Sequence, residues 1–189
     1  MKEKNKKEQK ELKKLSKFIS LILRHSPDKV KIKLDKYGWA DVKELIEGIN
    51  KTENQKIDFK MLERIVKTDG KKRYEFDENY TKIRACQGHS LKVKLELKPV
   101  KHPKILYHGI AEKYTASIKK EGLKKRRRQY VYLSEKMETA YNVGKRHENP
   151  SIIVILADKM YKAGKRFYLS KNKVWLTENI EIEYLEFSD

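Results

Sequence analysis

A single cysteine, Cys86, stands among the 189 residues. No intramolecular disulfide can form, and the chain suits a reducing cytosol. Long apolar runs are missing as well. The longest, residues 152–157, is far too short to span a bilayer, so no membrane partner is expected. The five His are scattered and none forms a His-Glu-x-x-His pair, which argues against a metal. The start, Met1-Lys2-Glu3-Lys4-Asn5, is basic but has no apolar run behind it, unlike a standard secretory signal; the expected location is cytoplasmic. Negative charge is also scarce. Asp plus Glu number 27 against 46 Lys plus Arg, a net charge of +19. A charge of that size repels itself unless a polyanion is near, and it favours nucleic acid or an anionic membrane. A Lys-rich genome is the alternative source of the excess, since Lys, Ile and Asn are all abundant.

Hydrophobic residues make up 38%, enough for small cores in one large domain or two small ones. Leu12, Leu15, Phe18, Ile19, Ile22 and Leu23 recur at helical spacing, which predicts an amphipathic helix over 10–25, extended upstream by a Lys/Glu face and stopped by Ser26-Pro27. Tyr37-Gly38-Trp39 reads as a turn. Asp41 and Asp58 read as caps of two short helices, the second ended by Asp69-Gly70. Residues 73–76 and 82–85 alternate around a polar turn, a hairpin signal. Helices followed by a hairpin read as a winged helix, a common nucleic-acid-binding form. Residues 97–104, with Pro99 and Pro103, read as a linker. Beyond it the pattern predicts strands over 105–108, 130–133, 152–156, 167–169, 174–176 and 180–187. Helices are predicted over 111–121, ended by Gly122, and over 135–147. The class is α+β, with a mixed or antiparallel sheet in the second half and no internal repeat.

Several residues could carry chemistry. Arg24 and His25 fall at the end of the first helix, where cations offset the helix dipole or, alternatively, pair a phosphate-binding Arg with a proton-transfer His. Arg73 begins the hairpin, and Arg128 ends the run Lys124-Lys125-Arg126-Arg127-Arg128, which leads directly into an apolar strand. The Arg fork matches phosphate oxygens two at a time. Gln87-Gly88-His89-Ser90 is a polar turn after a strand, and either a hairpin exit or part of a site. His108-Gly109 follows an apolar strand; the His is either a core residue near a turn or part of a site where Gly lets a ligand approach the backbone. Gly144 interrupts a predicted helix at a cost of roughly 1 kcal/mol, which close approach of another backbone or of a ligand would explain.

In this order the segments resemble the NAD-dependent RNA 2′-phosphotransferase family. The matching stretches are Leu15-Ser16-Lys17-Phe18 through Leu23-Arg24-His25, Asp35-Lys36-Tyr37-Gly38-Trp39, Lys72-Arg73-Tyr74, Ile83-Arg84-Ala85 with Gln87-Gly88-His89-Ser90, Leu106-Tyr107-His108-Gly109, Val131 with Leu133-Ser134, Val143-Gly144-Lys145-Arg146-His147, and Asn172-Lys173-Val174-Trp175-Leu176-Thr177. Two positions depart from the family: Ile110 stands where Thr is usual, and Tyr132 where His is usual. Tyr can stack on a nicotinamide ring but cannot serve as a cation.

The resemblance implies an RNA-binding winged-helix lobe over 1–98, with a basic N-terminal helix extension, joined to an ADP-ribosyltransferase-like split β-sheet lobe over 99–189 that binds NAD. It implies removal of an internal 2′-phosphate from RNA, of the tRNA splice-junction type. The phosphate attacks the nicotinamide-bearing ribose carbon of NAD and expels nicotinamide. The ribose 2″-hydroxyl then attacks the phosphate, freeing the RNA 2′-hydroxyl and yielding ADP-ribose 1″,2″-cyclic phosphate. Arg24, Arg73 and Arg128 would clamp the phosphate, and His25 would shuttle a proton or donate to the phosphate. His108, Gly109, Tyr132, Ser134, Gly144 and Arg146 would hold NAD, Gly109 through its backbone and Tyr132 by stacking. A monomer is expected. The alternatives are another ADP-ribosyltransferase acting on nucleic-acid phosphate or protein, and a non-catalytic RNA-binding protein.

Overall fold

The apolar residues spaced along the first part of the chain build one long helix. α1 runs Lys2–Arg24 and buries Leu15, Ile19, Ile22 and Leu23, each contributing about 1.5–3 kcal/mol of apolar burial. The computed structural model describes residues 2–52, 56–146 and 149–187, and of residues 2–5 and 7 the backbone alone. The chain divides into two units, Met1–Glu96 and Leu97–Asp189.

In the first unit α1 is followed by a 3₁₀ turn at Pro27–Val30, β1 (Trp39–Asp41), α2 (Val42–Thr52), α3 (Phe59–Thr68), β2 (Tyr74–Phe76) and β3 (Lys82–Ala85). Both expected caps form. The Asp41 carboxylate accepts the Glu44 N–H at 3.0 Å and the Asp58 carboxylate accepts the Met61 N–H at 2.8 Å, each supplying a partner that the first helical turn lacks. α2 and α3 send Leu45, Ile49, Leu62 and Ile65 into the same core as α1. The hairpin gains an unexpected third strand: β1 pairs antiparallel with β3, giving the order β1-β3-β2. Trp39 was expected in a turn. The turn is one step earlier, where the Asp35 carboxylate accepts the Tyr37 and Trp39 N–H groups at 2.8 and 3.0 Å and Gly38 takes φ +81°.

The second unit carries two three-stranded sheets whose pairs are all antiparallel among the described residues. β4 (Leu106–Ala111), β6 (Pro150–Ile155) and β9 (Leu185–Phe187) lie in the order β4-β6-β9. β5 (Val131–Leu133), β7 (Tyr168–Leu169) and β8 (Trp175–Thr177) lie in the order β5-β8-β7. Tyr107 and Ser134 exchange backbone hydrogen bonds of 2.8 Å each way and tie β4 to the end of β5. Around the sheets stand α4 (Thr115–Glu121), α5 (Met137–Gly144) and α6 (Ala157–Lys162). The core holds Leu106, Leu133, Ile153, Ile155, Met160, Phe167 and Ile180.

Three expectations change here. The strand that begins near Leu106 continues through His108 and Gly109 to Ala111, because pairing with β6 extends over that whole length. Gly144 is the last residue of α5, not a break within it. Residues 180–187 contain a 3₁₀ turn, Ile182–Tyr184, before the short β9. The expected helix end at His147 lies outside the described residues. No helix among them is long and apolar enough to cross a membrane.

Candidate active site

Arg24, His25 and Arg73 are separated by up to 49 positions in the sequence, yet one turn ties them together. Residues 86–90 leave β3 with the Cys86 N–H donating to the Arg73 carbonyl at 2.8 Å, and they end with the Ser90 N–H donating to the Arg24 carbonyl at 3.0 Å. The Ser90 hydroxyl lies 3.0 Å from His25 Nδ1. Between these anchors Gly88 takes φ +98°, and a Cβ there would sit 3.1 Å from Arg24 Nε and 3.2 Å from its Cζ. The turn therefore lies directly against the Arg24 guanidinium, and only glycine lets the backbone come so near.

Arg73 is held from the other side. Its N–H donates to Asp69 Oδ2 at 2.7 Å, and its guanidinium forms an ion pair with Asp69 Oδ1. The Asp69 side chain is only 5% exposed and that of Arg73 24%, so the carboxylate fixes one face of the guanidinium and the other edge remains near solvent. The sequence presented Asp69 as a helix stop only. Its spacing of four from Arg73 was the available signal, but the segment is not helical, so that spacing carried no contact expectation. Tyr74, next along β2, bonds through its hydroxyl to the Ser16 carbonyl. Burial raises the Tyr74 hydroxyl above the usual phenol range, against the Ser16 hydrogen bond and the nearby charges of Arg73 and Arg24.

His89 is fully buried, and neither ring nitrogen has a protein hydrogen-bond partner. Burial first, then the charges of Arg24, His25 and Arg84, push its imidazole down to about 4. The unfolded chain protonates this group near 6.5 and the folded chain near 4, so folding releases a proton between those values. Its contribution is fully present above pH 6.5 and is lost as pH falls towards 4, up to about 3 kcal/mol. His89→Leu, close in volume and without polar atoms, is expected to remove this part of the acid sensitivity. Denaturant unfolding of parent and variant at pH 7 and pH 4.5 checks it; parallel losses in both proteins would refute it.

A second group gathers in the other unit. His108, on β4, has Nδ1 2.7 Å from the Tyr132 carbonyl of β5. A carbonyl only accepts, so Nδ1 carries the proton and Nε2 presents a lone pair. Burial lowers the His108 imidazole, opposed by that hydrogen bond and reinforced by the Arg128 charge. Arg128 lies 5.1 Å above the Tyr132 ring, a cation–π contact. Tyr132 thus meets Arg128 at the position where the related family usually has His. Ser134 follows in the backbone pair with Tyr107. Ile110, the other departure, is 7% exposed and belongs to the apolar core, where its side chain replaces a hydroxyl with packing surface.

Gly109 and Gly144 have a packing reason. A Cβ on Gly109 would overlap the Ala140 carbonyl oxygen and lie 2.9 Å from Gly144 N; one on Gly144 would lie 2.8 Å from the Ile110 carbonyl oxygen. β4 and α5 meet backbone to backbone at these glycines. Arg146 is exposed and lies just past the end of α5. Among the described residues no cluster of three or more His, Cys, Asp or Glu could hold a metal ion.

Comparison with known proteins identifies the family. Residues 10–179 match the model of the RNA 2′-phosphotransferase, Tpt1 / KptA family. A protein of Fusobacterium nucleatum subsp. nucleatum named "Probable RNA 2′-phosphotransferase" is 56% identical over 175 residues, covering 92% of this chain and 97% of the relative. Proteins of the same name from Flavobacterium johnsoniae and Hahella chejuensis are 49% and 43% identical; they cover 93% and 95% of this chain, and 96% of each relative is matched. The chain belongs to the RNA 2′-phosphotransferase, Tpt1 / KptA family.

Proposed function

We propose that this protein removes an internal 2′-phosphate from RNA with NAD as a consumed co-substrate, on RNA of the tRNA splice-junction type. The observation that carries the reading is the 86–90 turn, bonded at one end to Arg73 and at the other to Arg24, with Ser90 on His25. A turn anchored on the Arg73 and Arg24 backbones, lying against the Arg24 guanidinium and bonded through Ser90 to the His25 ring, brings together residue types that suit a dianionic phosphate.

The first unit is read as a winged-helix RNA-binding lobe. Its order of helix, strand, helix, helix, strand, strand, with the sheet β1-β3-β2, supports this. The second unit, with its two small antiparallel sheets, is read as the ADP-ribosyltransferase-like lobe. Its residues suit NAD. The lone pair at His108 Nε2 can accept a hydrogen bond, Tyr132 offers an aromatic face, and Ser134 stands next to them on the chain. Gly109, Gly144 and Arg146 are assigned to the same site; for the two glycines this is additional to their packing role.

NAD supplies the ribose carbon to which the RNA phosphate becomes attached as the bond to nicotinamide breaks. In the second step the ribose 2″-hydroxyl attacks phosphorus, and the bond from phosphorus to the RNA 2′-oxygen breaks. Arg24 and Arg73 suit stabilisation of the charge that builds on the phosphorus oxygens. His25, with Nδ1 3.0 Å from the Ser90 hydroxyl, is read as a proton shuttle or as a further donor to the phosphate.

A short RNA carrying an internal 2′-phosphate, incubated with and without NAD, tests the proposal. Phosphate removal and nicotinamide release are expected only when both are present. Nicotinamide release indifferent to the 2′-phosphate would indicate another ADP-ribosyltransferase, and no release under any condition a non-catalytic RNA-binding protein.

A further inference from the structure

We infer that the cleft between α1 and the C-terminal end of α3 holds the RNA nucleotides that flank the 2′-phosphate. The inference deepens the proposed phosphotransferase reading and rests on it. The cleft has a volume of about 510 Å³, within the range of small-ligand sites and large enough for a nucleotide. Leu12, only partly buried, lines it with apolar surface, which suits a base or a ribose face. Its cationic lining is Lys13, Lys17, Arg64, Lys71 and Arg73. Against these five stands one lining carboxylate, Asp69, which is 5% exposed and engaged by Arg73.

Three features make this more than a solvated face. Lys13 and Lys17 are exposed, have no carboxylate partner among the described residues, and stand one helical turn apart on α1. That spacing of about 6 Å suits successive phosphates along an extended strand. The cleft contains Arg73, so a phosphate gripped by that guanidinium has its neighbouring nucleotides within reach of the lysines. Opposite the lysines, Arg64 is shared with Glu8 in an exposed ion pair, which is worth little and which a phosphate can displace. A strongly anionic occupant with flat apolar faces fits all of these, and a nucleic-acid strand is that occupant.

The test uses the full chain with two substrates: a 2′-phosphorylated dinucleotide and a ten-nucleotide RNA with an internal 2′-phosphate. The parent is expected to prefer the longer RNA in kcat/KM. The Lys13→Glu, Lys17→Glu double variant is expected to lose at least tenfold of that preference, through KM. The slope of log affinity against log salt should fall by about 1.4, two phosphate contacts on a single strand. Circular dichroism establishes folding, and Lys13→Gln with Lys17→Gln should move in the same direction by a smaller amount. An undiminished preference overturns the inference. Equal loss on both substrates also overturns it, by placing the lysines at the reacting phosphate. If the parent turns over neither substrate, the phosphotransferase reading itself has failed. Fluorescence anisotropy with an unphosphorylated ten-nucleotide RNA then decides the cleft alone: tenfold weaker binding by the double variant supports it and equal binding overturns it.

Discussion

Arg73→Ala and His25→Ala enzymes are expected to stall between the two chemical steps and accumulate RNA bearing a 2′-phospho-ADP-ribose adduct. The first step needs a phosphate oxygen that is still nucleophilic, and full neutralisation would weaken its attack. The second step builds negative charge on the phosphorus oxygens, where fixed cations are worth most. Losing one such donor costs on the order of 100-fold or more in that step. Arg73 adds a structural complication. Truncating it leaves Asp69, 5% exposed, without its cation, and an uncompensated buried carboxylate can cost about 3–5 kcal/mol. The double variant Arg73→Ala, Asp69→Asn removes that penalty, and Arg73→Lys keeps the charge while losing the two-pronged grip. The adduct is read as a slowly migrating band from radiolabelled RNA, with folding checked by circular dichroism. Well-folded variants that leave only unreacted RNA at every time would place Arg73 and His25 in binding or in the first step.

Gly109→Ala is expected to destabilise the second unit strongly. The added methyl would overlap the Ala140 carbonyl oxygen, and the other close atoms are the Ala140 carbonyl carbon at 2.7 Å and Gly144 N at 2.9 Å. All are backbone, so no side chain can swing aside and α5 must lift from β4. A forced shift of this kind costs about 3–5 kcal/mol, or roughly 15 °C or more in Tm for a unit of this size. Gly144→Ala, 2.8 Å from the Ile110 carbonyl oxygen, should cost less. Gly70→Ala, with nothing within 4 Å, should stay within about 0.5 kcal/mol. Calorimetry of the three variants gives the order. A Gly109→Ala protein that melts like the parent but no longer uses NAD would mean that the glycine is there for the ligand and not for the helix.

The sequence by itself determined the elements that depend on neighbours along the chain. The spacing of Leu15, Ile19, Ile22 and Leu23 dictates α1, because residues three and four apart share a helix face. Asp41 and Asp58 set helix starts through hydrogen bonds to N–H groups three residues on. The order of short Arg and His motifs pointed to the family that residues 10–179 match. Tertiary structure decided whatever depends on distant partners. β1 has three residues and no local signature, and exists because β3 offers it an edge. β4 runs through Gly109 because β6 pairs with it to Ala111. The contact between β4 and α5 required glycine at both Gly109 and Gly144, a reason invisible in either segment alone. Asp69 became the brace of Arg73 only when the chain turned between α3 and β2. Ser90 reached His25 across 65 positions only when the residues after β3 folded back on the end of α1. Local periodicity and capping act over a few residues, whereas strand pairing, close backbone approach and ion-pair geometry arise only when the folded chain brings distant residues together.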